Sequence, residues 1–312
     1  MMETPKKLQA TLEYKINALL GEGPIWNQQT SELYWVDIDG KLLNIYNPET
    51  KINRGLPVPL RIGTVVPSGP NEAIIALEDG MYKIDIQTGE VSLFSTLEAD
   101  ISENRFNDGK CDPAGRLWVG SMKLENTGMP ANLYMIDHDG TATIKIENVS
   151  ISNGIIWSLD QKKMYYVDSP TRKVRAFDFN ITNGNISNER VLVELSEADG
   201  FPDGIAIDEE DMLWVALWGG YAVARFNTQT GELMQKIDVP VKNVTACAFG
   251  GENLDILYIT TASVETTDEE LANFPDAGSI FSVRPGVKGI KSSFFEKKIE
   301  SALLIISTVI TS

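Results

Sequence analysis

The chain has 312 residues, of which 43% are hydrophobic and 23% charged, so it suits one large all-β domain or two average globular domains. Its formal net charge of -17 disfavours binding to nucleic-acid backbones and to anionic membranes. Its longest apolar run, 302–310, is shorter than the roughly 18 residues of a membrane span, and no signal-peptide pattern follows the first residues. We therefore expect a cytoplasmic protein that binds neither nucleic acid nor membranes. Our expectation of a monomer or weak homo-oligomer does not follow from these features.

Short β-type runs dominate the chain. Near the start, apolar and polar residues alternate from Ala10 to Ile16, which predicts a half-buried strand. Six apolar runs rich in aromatic and branched residues then follow at intervals of roughly 40 to 50 residues: Leu33–Asp37, Ala73–Leu77, Leu117–Gly120, Met164–Asp168, Leu213–Ala216 and Leu257–Thr260.

This spacing, with several strands in each repeat, predicts an all-β fold: a single-domain, six-bladed β-propeller over residues 1–312. We expect the strand at 10–16 to be an outer strand of the blade that Ser279–Val283 completes, which would close the ring. The segment Thr267–Asn273 predicts a short capped helix. Residues 291–312 fit less well and form either an extra strand or a poorly ordered, aggregation-prone tail.

Four motifs place an oxygen-bearing side chain beside a glycine: Gly21–Pro24 with Glu22, Phe106–Gly109 with Asn107, Ser152–Ile155 with Asn153, and Pro202–Ile205 with Asp203. The aromatic residue of the next strand follows each of them by 11 to 13 residues. Residues just before the innermost strands of a propeller cluster at one mouth of its channel, and Thr64 and Thr245 would hold the matching place in the other two blades. One such dipeptide alone would predict a turn, but four at matched positions favour a metal site.

The chain contains one histidine, His138, in an Asp-His-Asp-Gly sequence that predicts an exposed turn. We expect no catalytic role for a histidine in an exposed turn, so Ser-His-Asp and Cys-His mechanisms are excluded. A single histidine also excludes a multi-histidine zinc site. The two cysteines, Cys111 and Cys247, make no disulfide framework. Any metal would be held mainly by oxygen, which favours calcium, magnesium or manganese.

In its motifs the chain resembles the SMP-30/gluconolactonase/luciferin-regenerating enzyme family, which includes regucalcin. The matching segments lie in the family's order between about residues 10 and 290: Gly21–Pro24, Asn104–Lys110, Asp112–Arg116, Ser152–Gly154, Pro202–Gly204, Phe249–Gly251 and Leu257–Thr260. The chain departs from the family pattern after Phe295, where relatives usually end. This difference concerns local packing and not the site.

The resemblance implies a six-bladed propeller with one divalent metal in the central channel. It implies that Glu22, Asn153 and Asp203 ligate the metal. It further implies substrate contacts from Arg105, Asn107 and Glu125, the last by spacing within a variable stretch. Calcium is the first expectation for the metal, with zinc, magnesium and manganese as alternatives.

The activity that the resemblance implies is hydrolysis of sugar lactones to aldonic acids. A bound cation would polarise the lactone carbonyl, and Asp203 would act as the general base toward water. Two other functions stay open on the same site. One is a phosphotriester hydrolase that acts on compounds such as fluorophosphates, and the other is a non-enzymatic calcium-binding propeller.

Overall fold

The computed structural model describes residues 8–124 and 131–296. These begin with two short strands, β1 (Leu8–Gln9) and β2 (Thr11–Tyr14). Sixteen strands follow, four to a sheet. They are β3 (Gly21–Asn27), β4 (Glu32–Asp37), β5 (Leu42–Asn47), β6 (Ile52–Pro57), β7 (Ile62–Gly69), β8 (Glu72–Leu77), β9 (Gly80–Asp85), β10 (Val91–Ser95), β11 (Asn104–Cys111), β12 (Leu117–Lys123), β13 (Ala131–Ile136), β14 (Ala142–Val149), β15 (Ser152–Trp157), β16 (Lys163–Asp168), β17 (Lys173–Asn180) and β18 (Asn185–Glu194).

The rest of the described chain adds seven strands and one short α-helix. They are β19 (Phe201–Ile207), β20 (Leu213–Trp218), β21 (Ala222–Phe226), β22 (Leu233–Asp238), β23 (Asn243–Gly250), β24 (Ile256–Ala262), α1 (Asp268–Asn273) and β25 (Ile280–Val283). The helix confirms the sequence prediction: the Thr267 hydroxyl accepts a hydrogen bond from the backbone N–H of Glu270 in a capping box. Within the described residues, no helix is both long and apolar enough to cross a bilayer.

The all-β propeller is confirmed, but the predicted number of blades is wrong. The described strands form four separate four-stranded blades, not six, and the other nine strands form one continuous sheet. The two halves of that sheet join because Trp218, at the end of β20, pairs with Asn243, at the start of β23. This single pairing depends on the tertiary placement of the two strands, which the period of the sequence does not reveal.

The N-terminal strands fasten both halves of the nine-stranded sheet. Strand β1 pairs in parallel with β22, and β2 pairs antiparallel with β25. The second pairing confirms the predicted closure. The Glu13 carboxylate strengthens it by accepting hydrogen bonds from Ser282 Oγ at 2.8 Å and from the hydroxyl of Tyr46, on β5, at 2.7 Å.

All six predicted apolar runs lie in strands, each the second of its antiparallel group. They are fully or almost fully buried because they pack between neighbouring sheets, and Trp35, Trp118 and Trp214 are among the largest fully buried side chains. The indole N–H groups of Trp118 and Trp214 donate at 2.9 Å to the buried carboxylates of Asp112 and Asp208, respectively. These bonds satisfy polar groups that burial would otherwise leave unpaired.

The strands β3, β7, β11, β15, β19 and β23 contact one another in that order around a closed ring, and so line the axis. At one end of this channel a C-terminal segment, 288–296, crosses several sheets. The backbone N–H of Glu209 donates to the carbonyl of Lys288, and that of Phe295 donates to the carbonyl of Pro67. The remainder of the predicted atypical tail, 297–312, lies outside the described residues.

Candidate functional site

Every strand that lines the axis has an irregularity in its pairing with the next strand. Four of these strands carry the oxygen-and-glycine motifs, and in each the register shifts at the motif. The shifts lie between Glu22 and Ile25 in β3, between Phe106 and Gly109 in β11, between Ser152 and Ile155 in β15, and between Pro202 and Ile205 in β19. Such β-bulges change the direction of a side chain. The motif residues therefore lie within the innermost strands at bulges, and not just before those strands as the sequence predicted.

The glycines of two motifs are required by close packing between innermost strands. A Cβ atom on Gly154 would lie 2.6 Å from the carbonyl oxygen of Asp203, and one on Gly204 would lie 2.4 Å from the Cβ atom of Ala246. Gly23 instead has a φ of +54°, a left-handed conformation that glycine adopts without strain. The glycines thus allow neighbouring strands to approach closely at the channel mouth.

A cavity of about 490 Å³ opens at the mouth of the channel where the motif residues lie. Five of the residues singled out in the sequence line it: Glu22, Arg105, Asn107, Asn153 and Asp203. All five are buried, with 4–7% of their surface exposed. The structure thus brings together residues that are up to 181 positions apart in the chain (22 to 203).

The other candidates lie elsewhere. Thr64 and Thr245 are on innermost strands but do not line the cavity; their hydroxyls donate to the carbonyls of Gly109 and Gly21 on neighbouring strands. Glu125 lies outside the described residues. His138 is in the predicted turn and is half-buried, and Cys111 and Cys247 are free and buried.

A chain of hydrogen bonds orients the polar floor of the cavity. Arg105 Nη1 donates to Asn107 Oδ1 at 2.7 Å. Asn107 Nδ2 in turn donates to Asn153 Oδ1 at 3.1 Å and to the carbonyl of Ser152 at 2.7 Å. Asn153 Nδ2 donates to Ser169 Oγ at 2.8 Å, and that hydroxyl donates to the carbonyl of Pro202 at 2.6 Å. The amide oxygen of Asn153 is therefore directed toward Asn107, and its nitrogen toward Ser169.

The floor concentrates carboxyl groups. Burial, together with the nearby charge of Asp108, raises the pKa of Glu22 to about 8. Burial, together with the charges of Glu22 and Asp108, raises the pKa of Asp203 well above its ordinary value. Burial lowers the pKa of Arg105 to about 10, which still leaves the guanidinium protonated at neutral pH. The charge of Arg105 lowers the pKa of Glu22 and of Asp203, but by less than burial raises it.

The sequence reasoning did not single out Asp108 or Ser169. Asp108 follows Asn107 directly and is buried, and its Oδ1 accepts a hydrogen bond from the N–H of Gly109 at 2.7 Å. In the sequence, only its position next to the motif residue Asn107 could have indicated that Asp108 belongs near the site. Ser169 lies just after β16, and nothing in its local sequence links it to Asn153, because their contact depends on the return of the chain along the blade.

The residues present fit a divalent cation held by oxygen. Among the described residues there is no group of three or more His, Cys, Asp or Glu side chains placed to hold a metal. The predicted set contains only two carboxylates, Glu22 and Asp203, with the amide of Asn153 as the third ligand. Asp203 Oδ1 is buried and has no hydrogen-bond partner. An unpartnered buried carboxylate oxygen among mutually repelling acids is the environment that a bound cation would stabilise.

Comparison with known proteins places this arrangement in context. The family model described as the SMP-30/Gluconolactonase/LRE-like region matches residues 20–263. The Bacillus subtilis (strain 168) protein YvrE, whose name assigns it provisionally to the sugar lactone lactonases, is 38% identical over 89% of this chain and 95% of its own. Regucalcin from Danio rerio is 37% identical over 87% of this chain and 92% of its own.

Two solved structures are similar over most of their length. A luciferin-regenerating enzyme has a TM-score of 0.85 and 34% identity, covering 92% of this chain and 99% of that one. A regucalcin from Agrobacterium tumefaciens str. C58, described as a calcium-binding protein, has a TM-score of 0.88 and 26% identity, covering 94% and 99%.

Proposed function

Since this chain belongs to the SMP-30/gluconolactonase/LRE-like family, we propose that it is a hydrolase that opens sugar lactones to aldonic acids. The observation that carries this proposal is the unpartnered Oδ1 of Asp203, buried beside Glu22 and Asn153 at the floor of an open cavity. Burial and like charges raise the pKa of this carboxyl group, and a bound cation would lower that pKa again and hold the group as the carboxylate that accepts a proton.

Glu22, Asn153 and Asp203 would hold one divalent cation. Two carboxylates and an amide oxygen suit calcium first, while zinc, magnesium and manganese also accept such ligands. The bound cation would polarise the lactone carbonyl and stabilise the negative charge that develops on its oxygen. The cation would also offset the repulsion between Glu22 and Asp203. Both groups would therefore stay ionised at neutral pH.

Asp203 would act on the attacking water. A proton passes from the water to a carboxylate oxygen of Asp203 while the water oxygen bonds to the carbonyl carbon. The bond between that carbon and the ring oxygen then breaks, and the ring oxygen takes the proton. The products are one carboxylic acid group and one hydroxyl group, so water is the only co-reactant.

Arg105 and Asn107 would bind the hydroxyl groups of the substrate. Both hydrogens of Asn107 Nδ2 are used, by Ser152 and Asn153. Asn107 would therefore contact the sugar through Oδ1, as an acceptor. Arg105 uses Nη1 toward Phe106 and Asn107, and the donors on its other two nitrogens are suited to substrate oxygens. The role predicted for Glu125 as a third substrate contact stays a prediction.

The direct test is a pH-indicator assay of glucono-δ-lactone with the purified protein. We expect acid release well above the spontaneous rate, abolished by EDTA and restored by calcium or another divalent ion. Turnover that resists complete chelation would contradict the metal-dependent mechanism. Absence of turnover on a panel of five- and six-membered lactones with every metal would contradict the lactonase proposal.

A second candidate function is ion binding without turnover. It is favoured by the similarity to a regucalcin described as a calcium-binding protein. The same assay separates the two, because a protein that calcium stabilises against heat but that hydrolyses no lactone in the panel would fit the second candidate only.

A further inference from the structure

The cavity above the polar floor has an apolar wall. Its polar floor residues are buried, whereas the apolar lining side chains are half-buried and therefore lie nearer to solvent: Leu20, Met122, Ile151, Phe201, Trp218 and Val264. The polar residues thus lie at the bottom of the cavity and the apolar residues nearer to its opening. A bound molecule with its carbonyl at the floor must extend past the apolar wall.

The wall is built on paired strands. Phe201 and Trp218 are direct partners between β19 and β20. Met122 and Ile151 are partners in an isolated bridge between neighbouring blades. The N–H of Val264 donates to the carbonyl of Leu19, next to Leu20. Two apolar pairs are therefore fixed by strand or bridge pairing, and Val264 is held to Leu19 by one backbone hydrogen bond.

Few polar groups remain on the wall to bind hydroxyl groups. Asp39 lines the cavity, but its Oδ1 accepts a hydrogen bond from Arg61 Nε at 2.7 Å. Ser169 is used between Asn153 and Pro202. Glu265 is exposed. A fully hydroxylated sugar ring would leave hydroxyl groups against apolar side chains, which costs free energy, whereas an alkyl or aryl group there is removed from water.

We propose that, among lactones, this site prefers those with an apolar substituent of several carbons on the ring over the fully hydroxylated hexonolactones. This inference rests on the proposed lactone hydrolysis and refines it: sugar lactones are hydrolysed, and lactones with an apolar substituent are hydrolysed with a higher kcat/KM. The lactone carbonyl lies at the floor with Asp203, and the substituent lies along the wall between Phe201, Trp218 and Val264.

The test measures kcat/KM for glucono-δ-lactone, δ-valerolactone, δ-hexalactone, δ-octalactone and δ-decalactone with the metal-loaded protein. We expect kcat/KM to rise about twofold to fourfold per methylene group of the side chain, the upper value corresponding to full removal from water. We also expect the longer alkyl lactones to exceed glucono-δ-lactone. A flat alkyl series, or a higher kcat/KM for glucono-δ-lactone than for all alkyl lactones, overturns the inference.

Two nearly isosteric variants locate the effect, Val264→Thr and Met122→Gln. Each replaces an apolar wall group by a polar one, so each should reduce the rise in kcat/KM per methylene group of the alkyl series. The matched control is Val191→Thr, at a half-exposed position on the outer strand β18, which should leave the series unchanged. An unchanged series in both wall variants overturns the inference. Turnover of glucono-δ-lactone with a flat alkyl series rejects this inference alone, whereas no turnover of any lactone rejects the proposed function with it.

Discussion

Asn107 Nδ2 donates a hydrogen bond of 3.1 Å to Oδ1 of Asn153, which lies 46 residues further along the chain in the next blade. The two residues occupy equivalent bulges on β11 and β15, yet their amides are not equivalent. Asn107 presents an oxygen that also accepts from Arg105, while Asn153 is held by Ser169. One repeated motif thus supplies both a residue that we propose for the substrate side and a residue that we propose for the metal side.

Replacing Asn107 should impair the site without unfolding the protein. Asn107→Ala leaves Asn153 Oδ1 without its donor and Arg105 Nη1 with only the carbonyl of Phe106. An unsatisfied buried group costs about 1–3 kcal/mol. We expect kcat/KM on the best lactone to fall about 100-fold. The control is Asn71→Ala, at an exposed asparagine. A loss below threefold in Asn107→Ala would show that the amide chain does not support turnover.

Removing one carboxylate should remove the response to metal. In the wild type, a divalent ion at 100 times its Kd should stabilise the folded state by about 2.7 kcal/mol and raise Tm by several degrees. Glu22→Gln keeps the shape and loses the ligand charge, so most of this shift should disappear. Differential scanning calorimetry with and without calcium measures it, with the exposed Glu90→Gln as control. Equal shifts in all three proteins would place the ion elsewhere.

The closure by β2 predicts a pH-dependent contribution to stability. Burial raises the pKa of Glu13, but hydrogen bonds from Lys51, Tyr46 and Ser282 outweigh this, and the folded-state pKa lies below the ordinary 4.5. A lowered pKa means that the stabilisation is complete above about pH 4.5 and is lost as the pH falls through the folded-state value. We expect Glu13→Gln to lower the free energy of unfolding by about 1–2 kcal/mol at pH 7.

Urea unfolding of the wild type and Glu13→Gln at pH 7 and pH 3 measures this difference. It should shrink at the lower pH, because the wild-type carboxylate is then protonated as well. A difference that is the same at both pH values would mean that the charge of Glu13 does not matter to the closure.

The sequence predicted the strands well because the buried face of each blade needs a continuous apolar run. Leu33–Asp37 and Leu213–Ala216 are examples, and both lie within buried second strands. It failed on the number of blades, because the pairing of Trp218 with Asn243 is set by tertiary placement and not by any local preference.

The site was predicted in part. Recurrence identified Glu22, Asn153 and Asp203, and the structure brings them to one cavity with Arg105 and Asn107. Their roles as ligands, base and substrate contacts stay predictions. The β-bulges and the apolar wall could not be predicted, because neither the register of a strand pair nor the side chains that meet across blades leaves a mark in a single sequence.

The central claim is that Asp203, beside Glu22 and Asn153, accepts the proton from the attacking water. The most direct measurement is kcat for lactone hydrolysis by Asp203→Asn, a variant of nearly the same shape that removes the proton acceptor. The control is Asp178→Asn, at a surface ion pair with Arg190. We predict a loss of about 10²–10⁴-fold in Asp203→Asn, with an unchanged circular dichroism spectrum and near-normal activity in the control. Wild-type kcat in a folded Asp203→Asn protein would contradict the account.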